Sequence, residues 1–336
     1  MLAVVKYPDR AGVVLEDAPV PEYSPFEVLI KVKAVGICGS DVRIYNMIYE
    51  GKKKKFIIGH ELSGEVVKWG EKVHRFHVGD RVATEICIGC AICSYCKKGL
   101  INLCDKLEEI GVTMSGGMAE YISIPARNVH RLAENISFEA ATLADPLACT
   151  IRGLEMAQIR PDTWVAILGP GAMGLLATQV AKRIRRTKVV VVGTRENRLE
   201  LAREFGADHT VNLNEVDPVE AVLDITDGGA DYTFEAAGSA GALSQSFAMT
   251  RRNGSVVIFT VHRKIEVDME PVIRNELTVS GSICYNYREF EIALDLLGKE
   301  KIDVAPLLQD IVPLKDAQEA FRRVIERKTV KCIIKP

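Results

Sequence analysis

The chain has 336 residues, with 43 basic against 45 acidic side chains and a formal charge of −2. At about 100–200 residues per domain this length suggests two domains, and 48 % hydrophobic residues can fill a sizeable core. The balanced charge excludes a broad basic surface for nucleic-acid phosphates, and no uncharged apolar stretch of about 18 residues is present to span a membrane. The first residues, MLAVVKYPDRAG, have neither a basic n-region nor an apolar h-region, so no secretory signal is expected. The nine cysteines then read as metal ligands or buried thiols of a cytoplasmic protein rather than as disulfides.

In chain order, residues 1–35 hold short β-like runs (AVVKY, EVLIKVKAV) broken by Pro and Gly, which predict antiparallel strands and turns. Strand signals continue through SGEVVKWG, GDRVATEI and MAEYISIP to about residue 133. The lysine run at 52–55 reads as a solvated loop. From about residue 135 the texture changes. Helix-like stretches (FEAATLADPLACTIRGLEMAQI, GLLATQVAKRIRR) alternate with the apolar runs VAIL (165–168), VVVV (189–192), YTFEAA (232–237) and VVIF (256–259). That rhythm predicts a parallel sheet with crossover helices. Helices at about 288–299 and 315–327 and a final strand KCIIKP close the chain.

Five cysteines fall between positions 87 and 104. Cys87, Cys90, Cys93 and Cys96 are spaced by three, and Cys104 follows. Thiolates so close repel one another unless a cation compensates them, and four of them form a closed tetrahedral shell for structural zinc. Spacing alone does not choose between Cys87 and Cys104. An iron–sulfur cluster would use a similar run but end in x3-C-P, which is absent here. A zinc-ribbon nucleic-acid module would need basic and aromatic neighbours. Cys149, Cys284 and Cys332 read as buried thiols.

The run WVAILGPGAMGLLATQVA places Gly169, Gly171 and Gly174, with Ala172 and Met173 among them, after a strand and at the mouth of a helix. A second strand follows about 20 residues later, which completes the context for a dinucleotide site. Gly169 allows the tight turn, Gly171 a close backbone approach to pyrophosphate, and Gly174 helix–strand packing. The helix N-terminus offers N–H groups to the phosphates. An acidic residue usually ends the second strand of an NAD site. Here Gly193 leaves room, Thr194 offers a hydroxyl, and Arg195 with Arg198 offers forks matched to a phosphate, so NADP is expected over NAD. The competing reading lets Glu196 reach back to the ribose and makes the arginines surface charges.

Cys38 lies in ICGSD, and 22 residues later comes His60, inside the run GHELSGEVVKWG that spans Gly59 to Gly70. With GDRV at 79–82, the cysteine lobe, the glycine turn and EAAG at 235–238, these motifs give the chain a full-length resemblance to the zinc-dependent medium-chain dehydrogenases. It looks most like their polyol (sorbitol) and threonine dehydrogenase branch. The resemblance implies an α/β protein: a Rossmann-type parallel-sheet NAD(P)-binding domain over residues 148–284, and a mostly β, GroES-like catalytic domain over 1–147 and 285–336. It implies two zinc ions per chain. Cys38 and His60 match catalytic ligands, and Glu61 matches a carboxylate that ligates zinc in some members and sits behind it in others. Asp145, in DPLACTIRGLE, is the candidate for the remaining ligand position, with Cys149 second to it. The structural lobe matches Cys90, Cys93, Cys96 and Cys104, which leaves Cys87 as an extra thiol.

The implied reaction moves a hydride between a secondary alcohol, held as a zinc-bound alkoxide, and NADP or NAD. Ser40 matches the hydroxyl that takes the alcohol proton, and Asp41 the carboxylate that orients His60. Where many relatives have a relay histidine this chain has Arg43, which cannot act as a base and is placed near a cofactor phosphate. A polyol or sugar alcohol is the expected substrate. L-Threonine 3-dehydrogenase activity is the nearest alternative, and a zinc-free medium-chain reductase or binding protein is disfavoured by the Cys38 and His60 motifs. The resemblance also implies a homodimer or homotetramer, with the strand near VSGSICY (279–285) extending the sheet across the interface.

Overall fold

The computed structural model describes residues 1–47, 54–262 and 264–336. Of the lysine run, Lys52 and Lys53 lie outside the described residues; Lys54 and Lys55 are exposed, and Lys55 pairs with Glu16 at 2.5 Å. The chain divides into two compact units: Met1–Asp145 with Tyr285–Glu300 and Val304–Pro336, and Pro146–Cys284 with Lys301–Asp303. Among the described residues, no helix is long and apolar enough to cross a membrane.

The first unit is built on β-structure. Its seven-stranded sheet runs Val129–Arg131, Arg81–Thr84, Glu61–Trp69, Glu27–Gly36, Cys332–Lys335, Asp310–Pro313, with Tyr121–Pro125 also paired to Glu27–Gly36. The strand Glu27–Gly36 reads EVLIKVKAVG and is buried almost throughout, because other parts of the unit cover both of its faces. Its register sets Gly36 opposite Glu61 on one side and Ile333 on the other. The chain segments bearing Cys38, His60, Glu61 and Lys331 therefore meet at one end of the sheet. A three-stranded sheet, Val14–Asp17, Leu2–Lys6, Phe56–Ile57, completes the β-structure of the N-terminal region.

The helical stretch expected after residue 137 is two helices, Phe138–Ala141 and Ala144–Met156. Ser137 caps the first by accepting from Ala140 N–H at 3.0 Å. Pro146 has no N–H to donate, which a helix tolerates only in its first turn, so a new helix starts just before it.

The second unit contains six parallel strands in the order His209–Asn212, Lys188–Gly193, Trp164–Leu168, Ala230–Glu235, Thr250–Ile258, Thr278–Gly281. The order reverses between the first and fourth strands in the chain, Trp164–Leu168 and Ala230–Glu235. That is the switch point at which open α/β sheets bind ligands beyond their carboxyl ends. Ala166, Leu168, Val190, Val192 and Val211 pack a core on one face of this sheet. His209–Asn212 carries three polar side chains in four and gave no apolar run to read from sequence. YTFEAA stops being a strand at Glu235, because that carboxylate accepts from the N–H groups of Ala237 (2.8 Å) and Gly238 (2.7 Å) and turns the chain.

The turn after Trp164–Leu168 depends on Gly169. It has φ +99°, and a Cβ there would lie 2.8 Å from Ala237 Cα. Gly169→Ala should therefore lower the unfolding free energy by about 1–3 kcal/mol, read by urea denaturation. An unchanged midpoint would show that the turn relaxes freely.

Candidate active site and metal centres

The helix Gly39–Tyr45 starts directly after the strand Glu27–Gly36, with Cys38 at its N-cap position. Asp41 is fully buried, and its Oδ2 accepts from Cys38 N–H at 2.8 Å. Its Oδ1 lies 3.6 Å from His60 Nδ1, and neither of these buried atoms has a hydrogen-bond partner among the described residues. His60 precedes the strand Glu61–Trp69 and is 2 % exposed. Candidate ligand atoms of Cys38, His60 and Glu61 all lie within 4.8 Å of one another. Burial alone would lower the His60 pKa, but the Asp41 carboxylate and the Cys38 thiol outweigh it and hold the imidazole well above its ordinary value.

Glu61 is shared between two demands. Its Oε2 accepts a charge-assisted hydrogen bond from Lys331 Nζ, and both residues are buried. Its Oε1 is buried without a hydrogen-bond partner among the described residues. Burial opposes the charge on Lys331, yet Glu61, then Cys38 and Asp145, raise its pKa above the ordinary range. The pair depends on Gly36, since a Cβ there would fall 2.3 Å from Glu61 Oε2 and 2.8 Å from Lys331 Cε. A half-buried thiol, a buried imidazole and an orphaned carboxylate oxygen brought together form a donor set that fits zinc.

Asp145 stands outside that group. Its Oδ2 accepts from the Tyr285 hydroxyl at 2.5 Å, and the Tyr285 oxygen accepts from Ile86 N–H at 3.2 Å. Burial first, then the Glu61 charge, pushes Asp145 up to about 6 against the opposing pull of His60, Tyr285 and Lys331. Cys149 lies on the helix Ala144–Met156 and belongs to neither cysteine group described here. Ser40 and Arg43 are half-buried on Gly39–Tyr45. Sequence reasoning missed Lys331 and Tyr285. Each is an ordinary residue in its local context and reaches the site only through contacts across long chain separations.

The sulfurs of Cys90, Cys93, Cys96 and Cys104 lie within 4.8 Å of one another. Cys93 and Cys104 are 3.8 Å apart, the edge of a tetrahedron with Zn–S of about 2.3 Å. Backbone N–H groups of Cys90, Cys93, Cys96 and Lys106 point at these sulfurs at 3.2–3.4 Å. Donation from Cys96 and Asp105 N–H lowers the Cys93 thiol to about 6, whereas burial and the neighbouring thiols push Cys96 up to about 12. Four thiolates cannot coexist here without a cation, so this lobe also fits zinc. Cys87 is buried on the strand Cys87–Ile88, its carbonyl accepting from Asn128 Nδ2 at 2.7 Å, and is not one of the four.

In the second unit Gly171 is the N-cap of the helix Ala172–Gln179, with no side-chain cap and open space where a Cβ would stand. Gly174 packs the helix onto the turn so closely that a Cβ would sit 2.1 Å from Gly169 O. Ala172 and Met173 are half-buried in its first turn. Gly193 ends its strand against Pro170. Thr194 is exposed, Arg195 is the N-cap of the helix Glu196–Glu204, and Arg198 lies in its first turn. Glu196 pairs with Arg203 at 2.8 Å.

Comparison with known proteins agrees with this geometry. Residues 24–134 match the alcohol dehydrogenase GroES-like domain, and residues 172–299 match the zinc-binding dehydrogenase family. The D-arabitol-phosphate dehydrogenase of Enterococcus avium is 34 % identical over 325 residues, 95 % of this chain and 92 % of that one. The L-threonine 3-dehydrogenase of Bacillus subtilis is 33 % identical over 343 residues, covering 100 % of this chain and 99 % of that one. The crystal structure of a zinc-binding dehydrogenase from Sinorhizobium meliloti, bound to NADP, superposes with a TM-score of 0.93 at 30 % identity, covering 100 % of this chain and 99 % of that one. With both halves of the chain matched and the two donor sets in place, the chain belongs to the zinc-dependent, NAD(P)-linked alcohol and polyol dehydrogenases, a GroES-like and a Rossmann-like fold joined in one polypeptide.

Proposed function

We propose that the chain oxidises a secondary alcohol of a polyol or sugar alcohol, with NADP as the preferred hydride acceptor and two zinc ions per chain. In this reading residues 1–147 and 285–336 form the catalytic domain and 148–284 the cofactor domain. The observation that carries it is the group of half-buried Cys38 with buried His60 and Glu61, whose Glu61 Oε1 lacks a hydrogen-bond partner among the described residues. Zinc, when bound, supplies Lewis acidity that makes a substrate hydroxyl easier to ionise. Cys38, His60 and Glu61 would hold it there, while Cys90, Cys93, Cys96 and Cys104 would hold the structural ion. Asp145, whose pKa is raised to about 6, is the second carboxylate of the site and remains the candidate for a further ligand position. Asp41 orients the His60 ring.

Ser40 takes the alcohol proton. Arg43, always protonated, serves a cofactor phosphate instead of relaying the proton. Gly169, Gly171, Ala172, Met173 and Gly174 present N–H groups and room to the pyrophosphate. Thr194, Arg195 and Arg198 take the 2′-phosphate beside Gly193. Two facts support NADP: Glu196 is paired with Arg203 rather than turned back toward Gly193, and the Sinorhizobium neighbour is bound to NADP. Among the described residues the sixth strand, Thr278–Gly281, pairs on one side only, and it is largely exposed. An open edge of this kind suits pairing with a second copy, so a homodimer or homotetramer is proposed. The nine cysteines, none of them joined in a disulfide, suit a reducing, cytoplasmic compartment.

Four outcomes test this reading. Metal analysis should find two zinc ions per chain in the wild type and one in Cys38→Ser, with activity lost; a single ion in the wild type sinks the two-site assignment. The kcat/KM with NADP should exceed that with NAD by about tenfold, the worth of one charge-assisted phosphate contact, and the reverse ratio defeats it. On a panel of polyols, polyol phosphates, L-threonine and simple secondary alcohols, polyols should lead. On the best of them Ser40→Ala should lower kcat by about a hundredfold, whereas a loss under about threefold removes Ser40 from its role.

A further inference from the structure

Glu235 ends the strand Ala230–Glu235 and is fully buried. A carboxylate taken that far from water needs donors on both oxygens. Oε1 has the N–H groups of Ala237 and Gly238, and Oε2 accepts the hydroxyl of Thr260. That set already satisfies the charge. A fourth group joins it nevertheless: His262 Nε2 lies 3.0 Å from Glu235 Oε2 and 2.8 Å from Thr260 Oγ1.

The protons can be assigned. Thr260 has one hydroxyl proton and gives it to Glu235, so both oxygens that face Nε2 accept, and Nε2 must carry the ring proton. In the neutral imidazole Nδ1 is then a bare lone pair. No hydrogen bond to Nδ1 is found among the described residues, and 11 % of the side chain remains exposed. A structural clamp for Glu235 would be complete without this ring. A fixed, outward acceptor is what the ring adds.

Its place in the fold says what it meets. Three strand ends touch in succession. The Gly169 turn lies against Ala237, where a Cβ on Gly169 would come within 2.8 Å, and Gly238 approaches Thr260, with a Cβ at 3.7 Å from Cγ2. His262 therefore belongs to the same floor as the glycine turn, on the far side of the switch point from Thr194 and Arg195. A dinucleotide whose pyrophosphate sits on that turn spreads its two nucleosides to opposite sides of the switch point. With the adenosine half at Arg195, the nicotinamide nucleoside falls on the side of His262.

We propose that His262 is a cofactor-binding residue whose Nδ1 accepts a hydrogen bond from a ribose hydroxyl of the nicotinamide nucleoside, and that Glu235 is the positioning residue that fixes its tautomer. The assignment rests on the dinucleotide reading of this unit. It is tested by calorimetric titration of wild type, His262→Leu and His262→Asn with NADPH and NADH, and with the adenine fragments 2′,5′-ADP and ADP, which lack the nicotinamide nucleoside. His262→Leu should weaken the better-bound reduced dinucleotide about tenfold, the worth of one hydrogen bond, and leave the matching fragment within about twofold. His262→Asn, whose amide oxygen can stand where Nδ1 stands, should recover most of the loss. Equal weakening of dinucleotide and fragment would make His262 a structural clamp and overturn the proposal, as would undiminished dinucleotide binding by His262→Leu. Wild-type protein that binds the fragments but neither dinucleotide would also defeat it. Binding of no ligand at all would overturn the dinucleotide reading itself.

Discussion

The ion pair between Glu61 and Lys331 is the contact on which the first unit's site depends. Two charges have been removed from water, and such a pair is weak evidence of stability, because desolvation can exceed the Coulombic gain. Its effect here is geometric. Lys331 occupies one carboxylate oxygen and leaves the other, Oε1, buried and unpartnered beside Cys38 and His60. The pair also constrains its surroundings. Gly36 must lack a side chain for the two groups to meet, and that fixes the approach of three strands, Glu27–Gly36, Glu61–Trp69 and Cys332–Lys335. Residues separated by 270 positions thus set one another's orientation.

The second unit uses a related arrangement for a different end. Glu235 is also a buried carboxylate at the end of a strand, but both its oxygens are occupied, and its donors come from the loops after two neighbouring strands. There the charge holds backbone and ring in place. At Glu61 one oxygen is left without a hydrogen-bond partner among the described residues, which suits the ligand role proposed for it.

Much of the fold could be read from sequence where one periodicity ran long enough. VAIL and VVVV are fully buried parallel strands with no alternation to confuse them. The glycine turn was legible because each glycine answers a separate steric demand, and Gly169 and Gly174 meet theirs within 3 Å. The short edge strand His209–Asn212 escaped because an edge of four residues with polar side chains has no apolar signature. The end of YTFEAA was misjudged because the carboxylate that turns the chain looks in sequence like a strand residue with an alanine run behind it.

The metal lobe shows where spacing runs out and geometry takes over. Cys87 repeats the three-residue interval that joins Cys90, Cys93 and Cys96, while Cys104 breaks it. Spacing therefore offers no ground for leaving Cys87 out. In three dimensions the interval ceases to matter. Cys87 sits on the strand Cys87–Ile88, paired to Glu108–Glu109, whereas Cys93 caps a short helix and Cys104 ends the turn Ile101–Leu103, which brings its sulfur back to 3.8 Å from that of Cys93. Backbone N–H groups then point at Cys90, Cys93 and Cys104, stabilising thiolates at positions the local chain has already chosen. A regular interval in sequence marks candidates for a metal shell, but membership is settled by which sulfurs the turns between them can return to one point.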